Sequence, residues 1–191
     1  MTESKRITTD KESLVYENRF AKLFDNQVTF PGGAQGRYLK LQWSEPYGVA
    51  ILPILEDGRV YLVNSFRYAS NRMCIEIPKG FGSSGVPPAE AAARELMEET
   101  GLRARELRLI ASLSTEGGLI DHTVHLYAAH GARAEGSPTP EPTEVFGEPL
   151  ILEISEAIEL IRENKINDSL SINALMLYSS GVASGKLIAD V

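Results

Sequence analysis

The spacing of apolar residues changes along this chain, and the changes predict its elements. Residues 14–30 (LVYENRFAKLFDNQVTF) alternate apolar and polar, the period of a half-buried strand. Residues 37–43 read as a returning strand, and Pro31-Gly32-Gly33-Ala34-Gln35-Gly36 between them has turn composition. The two together predict a β-hairpin. Those glycines are not read as a phosphate loop, because no G-K-[ST] ending and no helical pattern follow. Residues 1–12 are polar and predict a frayed start. Residues 48–55 (GVAILPIL) are apolar throughout, which predicts a strand buried on both faces. Glu56-Asp57-Gly58 is a tight turn, and residues 60–66 form the partner strand. Residues 74–77, 107–114, 123–129 and 148–152 predict further strands, and the Gly- and Pro-rich residues 131–142 predict a mobile loop.

Helical periodicity appears over residues 89–100, 154–163 and 169–179. The first of these is framed by its ends. Pro87 and Pro88 suit a first turn, which needs no N–H donor, and Gly101 stands where a left-handed C-terminal residue belongs. At about 100° per residue, Ala89, Ala92, Ala93, Leu96 and Thr100 share a small-residue face. Glu95, Glu98 and Glu99 fall on the opposite arc, so their carboxylates can meet around one point. The order of elements predicts an α/β protein, an α/β/α sandwich with a mixed β-sheet. An N-terminal extension carrying the hairpin (residues 1–45) precedes the main domain (46–191).

Composition narrows the class. The chain has 191 residues, 43% of them hydrophobic, enough for a core and against disorder. A net charge of −7 argues against a nucleic-acid partner, which needs a basic face. The single cysteine, Cys74, allows no intrachain disulfide and reads as a small buried hydrophobe. Without an apolar leader or a membrane-length apolar run, the expectation is a cytoplasmic protein with no membrane partner. His122, His125 and His130 lie in a strand-like region, lack the spacing of a helical metal pair and read as structural.

Candidate chemistry concentrates around the acidic helix. Like charges at this spacing cost a helix about 0.2–0.5 kcal/mol per pair, a penalty that a hard cation removes. The residues Arg94-Glu95-Leu96-Met97-Glu98-Glu99-Thr100-Gly101-Leu102 match R-E-U-x-E-E-x-G-U, with U bulky and apolar, and Gly80 stands at the opening glycine. This resembles the Nudix box, G-x5-E-x7-R-E-U-x-E-E-x-G-U, with one departure: Val86 occupies the place of the first glutamate. The resemblance implies the Nudix fold and a Mg²⁺ or Mn²⁺ site. Glu95 and Glu99 would be ligands, Glu98 a third ligand or a base, and the Lys79 carbonyl a further ligand. Arg94 and Gly101 would be structural. In relatives the missing glutamate tethers the box arginine; here Glu90, four residues before Arg94, is expected to take over.

Two further segments resemble the ADP-ribose pyrophosphatases and ADP-compound hydrolases of the family. Asn64-Ser65-Phe66-Arg67-Tyr68 resembles their Q-Y-R, and Glu76-Ile77-Pro78-Lys79-Gly80 their E-x-P-x-G. The likeness implies that Arg67 and Glu76 contact substrate; the alternative is a surface ion pair between them. Ser114-Thr115-Glu116-Gly117-Gly118 replaces the family's proline-containing segment and lacks the proline. Glu141-Pro142-Thr143-Glu144-Val145 resembles E-D-I-E-V, whose glutamate positions metal or water; register favours Glu141, with Glu144 next. The implied function is hydrolysis of a nucleoside diphosphate linked to another group, ADP-ribose or a related ADP compound first, to AMP and a sugar phosphate. The alternative is a non-catalytic nucleotide-binding module of the same fold. The N-terminal hairpin resembles the exchanged element of family homodimers, which implies a homodimer.

Overall fold

The computed structural model describes residues 6–184. One unit comprises Met1–Pro46 and Ser114–Thr123. It is built on β1 (Thr8–Lys11), β2 (Leu14–Glu17), β3 (Ala21–Thr29) and β4 (Gln35–Trp43). β3 is the spine. β4 pairs with it over its whole length, from Ala21↔Trp43 to Thr29↔Gln35, while β1 and β2 share its other edge. The hairpin predicted over residues 14–43 is therefore β3–β4. Residues 14–30 form two strands, not one, because Asn18 turns the chain: its Oδ1 accepts from the N–H groups of Phe20 (2.8 Å) and Ala21 (2.9 Å). Alternation runs on across so short a turn and hides it. The start expected to be frayed is a paired strand from Thr8, where Thr29 Oγ1 donates to Asp10 at 2.7 Å; residues 1–5 lie outside the described residues. Ser114–Thr123 joins the unit through Leu41 N–H to the Leu119 carbonyl (2.9 Å) and Tyr38 O–H to the Gly118 carbonyl (3.0 Å).

The other unit comprises Tyr47–Leu113 and Val124–Val191. Its strands are β5 (Tyr47–Leu55), β6 (Val60–Arg67), β7 (Arg72–Glu76), β8 (Lys79–Gly82), β9 (Leu102–Arg103), β10 (Glu106–Ser114), β11 (Thr123–Ala134) and β12 (Leu150–Leu152). Its helices are α1 (Pro88–Thr100), α2 (Ile154–Arg162) and α3 (Ser169–Ser184). The sheet order is β10-β11-β5-β6-β12, with β11 parallel and β6 antiparallel to β5, so the sheet is mixed. β8 takes the first half of a β5 edge and β7 pairs with β6, so the chain crosses between them through Ile77-Pro78.

The uninterrupted apolar character of β5 follows from its two covered faces. Ala50, Leu52 and Ile54 pack with Ala157, Ile166, Ala174 and Leu175 from the α2–α3 side. Val49 and Ile51 pack with Ala91, Ala92 and Leu96 of α1. Alternate residues thus serve opposite layers, as the period of a strand requires. The fold is the expected α/β/α arrangement. α1 starts at Pro88 after an extended Pro87, and ends where Gly101 takes φ 69° and donates to the Met97 carbonyl at 2.8 Å. A side chain at Gly101 would also meet the Gly136 carbonyl oxygen at 2.4 Å. His125 is structural, with Nδ1 3.0 Å from Ser112 Oγ and its ring edge-on to Tyr47. Among the described residues no helix is long and apolar enough to cross a membrane.

Candidate active site

The buried side of α1 is not the alanine face that its composition suggested. Ala91, Ala92, Glu95, Leu96, Glu99 and Thr100 are buried, whereas Ala89 and Ala93 are exposed. Two carboxylates therefore point inward, and the reason lies in β8. Gly80 passes under Glu95 so closely that a Cβ there would sit 2.3 Å from the Glu95 carboxyl carbon. Only glycine leaves that space. A backbone hydrogen bond from Lys79 reaches Glu99. Hydrophobicity alone assigns glutamates outward; the room above a glycine assigns these inward.

Burial dominates their electrostatics. Loss of water pushes the Glu95 carboxyl up to about 7, with the negative charges of Glu98 and Glu144 adding to the shift and Arg94 opposing it. Burial, then repulsion from Glu144 and Glu95, pushes Glu99 up to about 8. Two acids that resist ionisation while crowded by others are a site short of positive charge.

Arg94 is held differently from the expectation. Its guanidinium pairs with Glu95 (2.8 Å) and Glu98 (2.9 Å) and donates to the Phe81 carbonyl (3.0 Å). The tether from Glu90 does not form. Glu90 is solvent-exposed, and a carboxylate already desolvated at Glu95 binds the guanidinium more strongly than one in water. Val86 is also exposed; its backbone closes a turn with Ser83 (3.1 Å), and its carbonyl accepts from the Tyr47 hydroxyl.

The second wall is a chain of alternating charges. Arg67, at the end of β6, donates from Nε to Glu76 Oε2 at 2.8 Å. Glu76 is 4% exposed. Lys79 Nζ lies 3.2 Å from the same oxygen and 2.6 Å from Asp168 Oδ1. Burial works against the Arg67 charge, but Glu76, with Glu99 and Asp168 behind it, raises its pKa above that of a free guanidinium. Burial likewise pushes Asp168 up, yet Lys79 and the hydrogen bonds from Ser171 outweigh it and hold the carboxyl below its usual range. The Arg67–Glu76 ion pair, weighed from sequence as the alternative to substrate contact, is present, and it is partly buried rather than a surface pair.

The third wall is the loop after β11. It is fastened rather than loose. Glu135 and Gly136 donate to the Gly101 carbonyl, and Thr139 to the Glu98 carbonyl at 2.8 Å. Phe66 donates to Val145 and Gly147 to Asn64, each at 2.8 Å, which joins the loop to the strand carrying Arg67. Between these anchors Glu144, not Glu141, is the acid whose charge reaches both Glu95 and Glu99. Glu141 is exposed; its N–H donates to Glu144 Oε2 at 2.9 Å. Sequence register puts Glu141 first and Glu144 second; in the fold it is Glu144, three positions on, whose charge acts on the buried pair. Glu99 also lines a cavity of about 110 Å³ with Tyr61, Val63, Phe146 and Pro138.

A family model for the NUDIX domain matches residues 45–169. The chain belongs to the Nudix hydrolase family. Relatives of this Nudix hydrolase include the ADP-ribose pyrophosphatase of Mycobacterium tuberculosis, 32% identical over 153 residues, covering 79% of this chain and 72% of that protein. The ADP-ribose pyrophosphatase of Bacillus subtilis is 26% identical, covering 84% and 86%. The methanol dehydrogenase activator of Bacillus methanolicus is 28% identical, covering 91% of each chain. A crystal structure of an ADP compounds hydrolase superposes with a TM-score of 0.83 at 20% identity, covering 94% of this chain and 96% of that one, and shares the fold.

The donor set of this Nudix site suits a hard divalent cation. Among the described residues no three acidic, histidine or cysteine side chains form a ready-made metal cluster. Mg²⁺ does not need one, since it takes one or two carboxylates and fills its shell with water and phosphate. Glu95 and Glu99 are two such carboxylates in one buried place, and the repulsion that adds to the effect of burial on them is of the kind a cation relieves. Sequence reasoning missed Asp168 and Ser171. An Asp three residues before a Ser at a helix start signals a cap, but nothing local links it to Lys79, 89 positions away.

Proposed function

We propose that the protein is a divalent-cation-dependent hydrolase of ADP-linked diphosphates, ADP-ribose first among them, yielding AMP and a sugar phosphate. The observation that carries this reading is the buried Glu95–Glu99 pair facing Glu144, with Arg67 close enough to feel Glu99. The names of the relatives point to the same substrate class. Glu95 and Glu99 hold the cation, with Glu98 and the Lys79 carbonyl available beside them. When bound, Mg²⁺ supplies positive charge to the phosphoryl oxygens. Arg67 binds the diphosphate, where a planar guanidinium gives directed hydrogen bonds, and Glu76 orients it. Glu144 takes a proton from water as the water oxygen bonds to phosphorus. The P–O bond to the bridging oxygen breaks, and that oxygen leaves on the departing phosphate. The protein acts in the cytoplasm as a homodimer; the exposed Leu14, Val15, Tyr16, Phe20 and Leu39 of the first unit suit an interface between copies.

The test is turnover of ADP-ribose with Mg²⁺, with and without excess chelator, reading AMP directly. Activity that survives chelation overturns the cation requirement. Activity confined to nucleoside triphosphates overturns the substrate class.

Cation binding is expected to depend on pH. Glu95 and Glu99 hold protons up to about 7 and about 8, far above an unfolded glutamate near 4.3. A raised carboxyl stabilises the fold fully below its unfolded pKa, and that contribution is lost as pH rises through the folded value. Without metal, this pair therefore favours about pH 5 over about pH 9. A divalent cation reverses the preference, because it binds the ionised pair and displaces protons. The Tm increase produced by Mg²⁺ is expected to grow between about pH 6 and about pH 9. A Tm increase independent of pH would remove the pair from the cation site.

A further inference from the structure

Asp168 directly precedes α3, far from the Nudix box in sequence. Its two carboxylate oxygens do different work. Oδ2 accepts from the Ser171 N–H at 2.9 Å and the Ser171 hydroxyl at 2.6 Å, which caps α3. Oδ1 takes the Lys79 ammonium at 2.6 Å. The Ser171 hydroxyl oxygen in turn accepts from the Ile77 N–H at 2.9 Å, tying the helix start to the segment between Glu76 and Lys79.

Lys79 has two anions to choose from. Glu76 Oε2 lies farther away, at 3.2 Å, and that oxygen already accepts both Nε and Nη2 of Arg67. The charges alternate from Arg67 through Glu76 and Lys79 to Asp168, and they sum to zero. The side chains of Glu76, Lys79 and Asp168 are only 5%, 18% and 16% exposed. In that environment an unbalanced charge takes the nearest partner rather than water. Arg67 is 41% exposed and spends one edge, Nε and Nη2, on Glu76, which leaves Nη1 for a ligand.

We propose that Asp168 is a positioning residue for Arg67: by holding the Lys79 ammonium, it leaves Glu76 Oε2 to fix the guanidinium in its diphosphate-binding orientation. The proposal rests on the reading of Arg67 as a diphosphate ligand. Without the Asp168 charge, Lys79 closes on Glu76 and competes with Arg67 for Oε2, the oxygen that both already reach. The orientation of Arg67 is thus set partly from the start of α3.

Asp168→Asn separates this role from capping. Asn caps a helix about as well as Asp, but it has a single acceptor oxygen. With that oxygen on Ser171, its amide N–H groups face Lys79 and push the ammonium toward Glu76. Two readouts follow. In ¹⁵N spectra, the Arg67 Nε–H, assigned by its absence in Arg67→Lys, is expected to be protected in the wild type, displaced in Asp168→Asn and restored in Lys79→Met/Asp168→Asn. With ADP-ribose and saturating Mg²⁺, KM is expected to rise roughly tenfold in Asp168→Asn with kcat within about threefold, and to return within about threefold of wild type in the double variant. A role confined to capping moves neither readout and gives no rescue by removing Lys79. Asp168→Ser, which also caps but is too short for Lys79, repeats the comparison if the asparagine variant fails to fold. An unchanged Arg67 signal overturns the proposal whatever the substrate is, and so does a displaced signal with unchanged KM. A wild-type enzyme that turns over no ADP-linked diphosphate overturns the functional reading instead, and the spectra still decide this one.

Discussion

Glu99→Gln is expected to lower kcat by roughly 10²-fold or more while making the metal-free protein more stable in base. Both effects come from one charge. Glu99 is 6% exposed, repelled by Glu144 and Glu95, and pushed up to about 8. Glutamine keeps the shape and removes the charge. Near pH 6 the wild-type carboxyl is mostly protonated and the two proteins should unfold at similar temperatures. Near pH 9 the wild type must bury an ionised carboxylate and glutamine need not, so the variant should unfold at the higher temperature. Mg²⁺ should narrow or invert that order, because only the wild type offers the charge to the cation. The kinetic loss follows from weaker stabilisation of the phosphoryl transition state, worth several kcal/mol, at about 1.36 kcal/mol per tenfold. Melting curves at both pH values with and without Mg²⁺, beside kcat, check the set. Full activity in a folded Glu99→Gln protein would remove Glu99 from the cation site and, with it, the centre of this mechanism.

That trade-off explains which parts of the molecule were legible in the sequence. Features written in neighbouring residues were readable: the ends of α1 at its prolines and Gly101, the doubly buried β5, and the motif around Glu95 and Glu99. Features that depend on what packs opposite were not. Ala89 and Ala93 looked like a buried face, yet the buried line of α1 runs through Glu95 and Glu99 because Gly80 leaves room there. The spacing of Glu90 and Arg94 is right for an ion pair, but Arg94 turns to Glu95, where less water competes. The Asn18 turn between β2 and β3 was invisible to alternation. Asp168 lies 89 positions from Lys79, and no local pattern announces such a partner. Each miss is a case of tertiary context choosing among options that local chemistry allows.

Glu144 gives the sharpest test of the loop. Glu144→Gln is expected to lower kcat by roughly 10²–10⁴-fold, the usual span for general-base catalysis, with Mg²⁺ affinity nearly kept. Glu141→Gln should change kcat less than about threefold. The sequence ranks these two acids the other way round, so the comparison separates alignment from geometry. Glu144 is half-buried between anchors on α1 and β6, and its charge reaches Glu95 and Glu99; Glu141 is exposed and presents its N–H to Glu144. A general base must reach the attacking water, and of these two loop acids Glu144 is the one whose charge acts on Glu95 and Glu99, the proposed cation ligands. The affinity measurement matters as much as the rate. Removing the Glu144 charge also relieves repulsion on Glu95 and Glu99, so their pKa values should fall and Mg²⁺ binding near pH 7 should stay level or tighten slightly. A kcat loss accompanied by a large loss of Mg²⁺ affinity would make Glu144 a ligand rather than the base. A loss in Glu141→Gln with none in Glu144→Gln would return the role to the residue that the sequence register prefers.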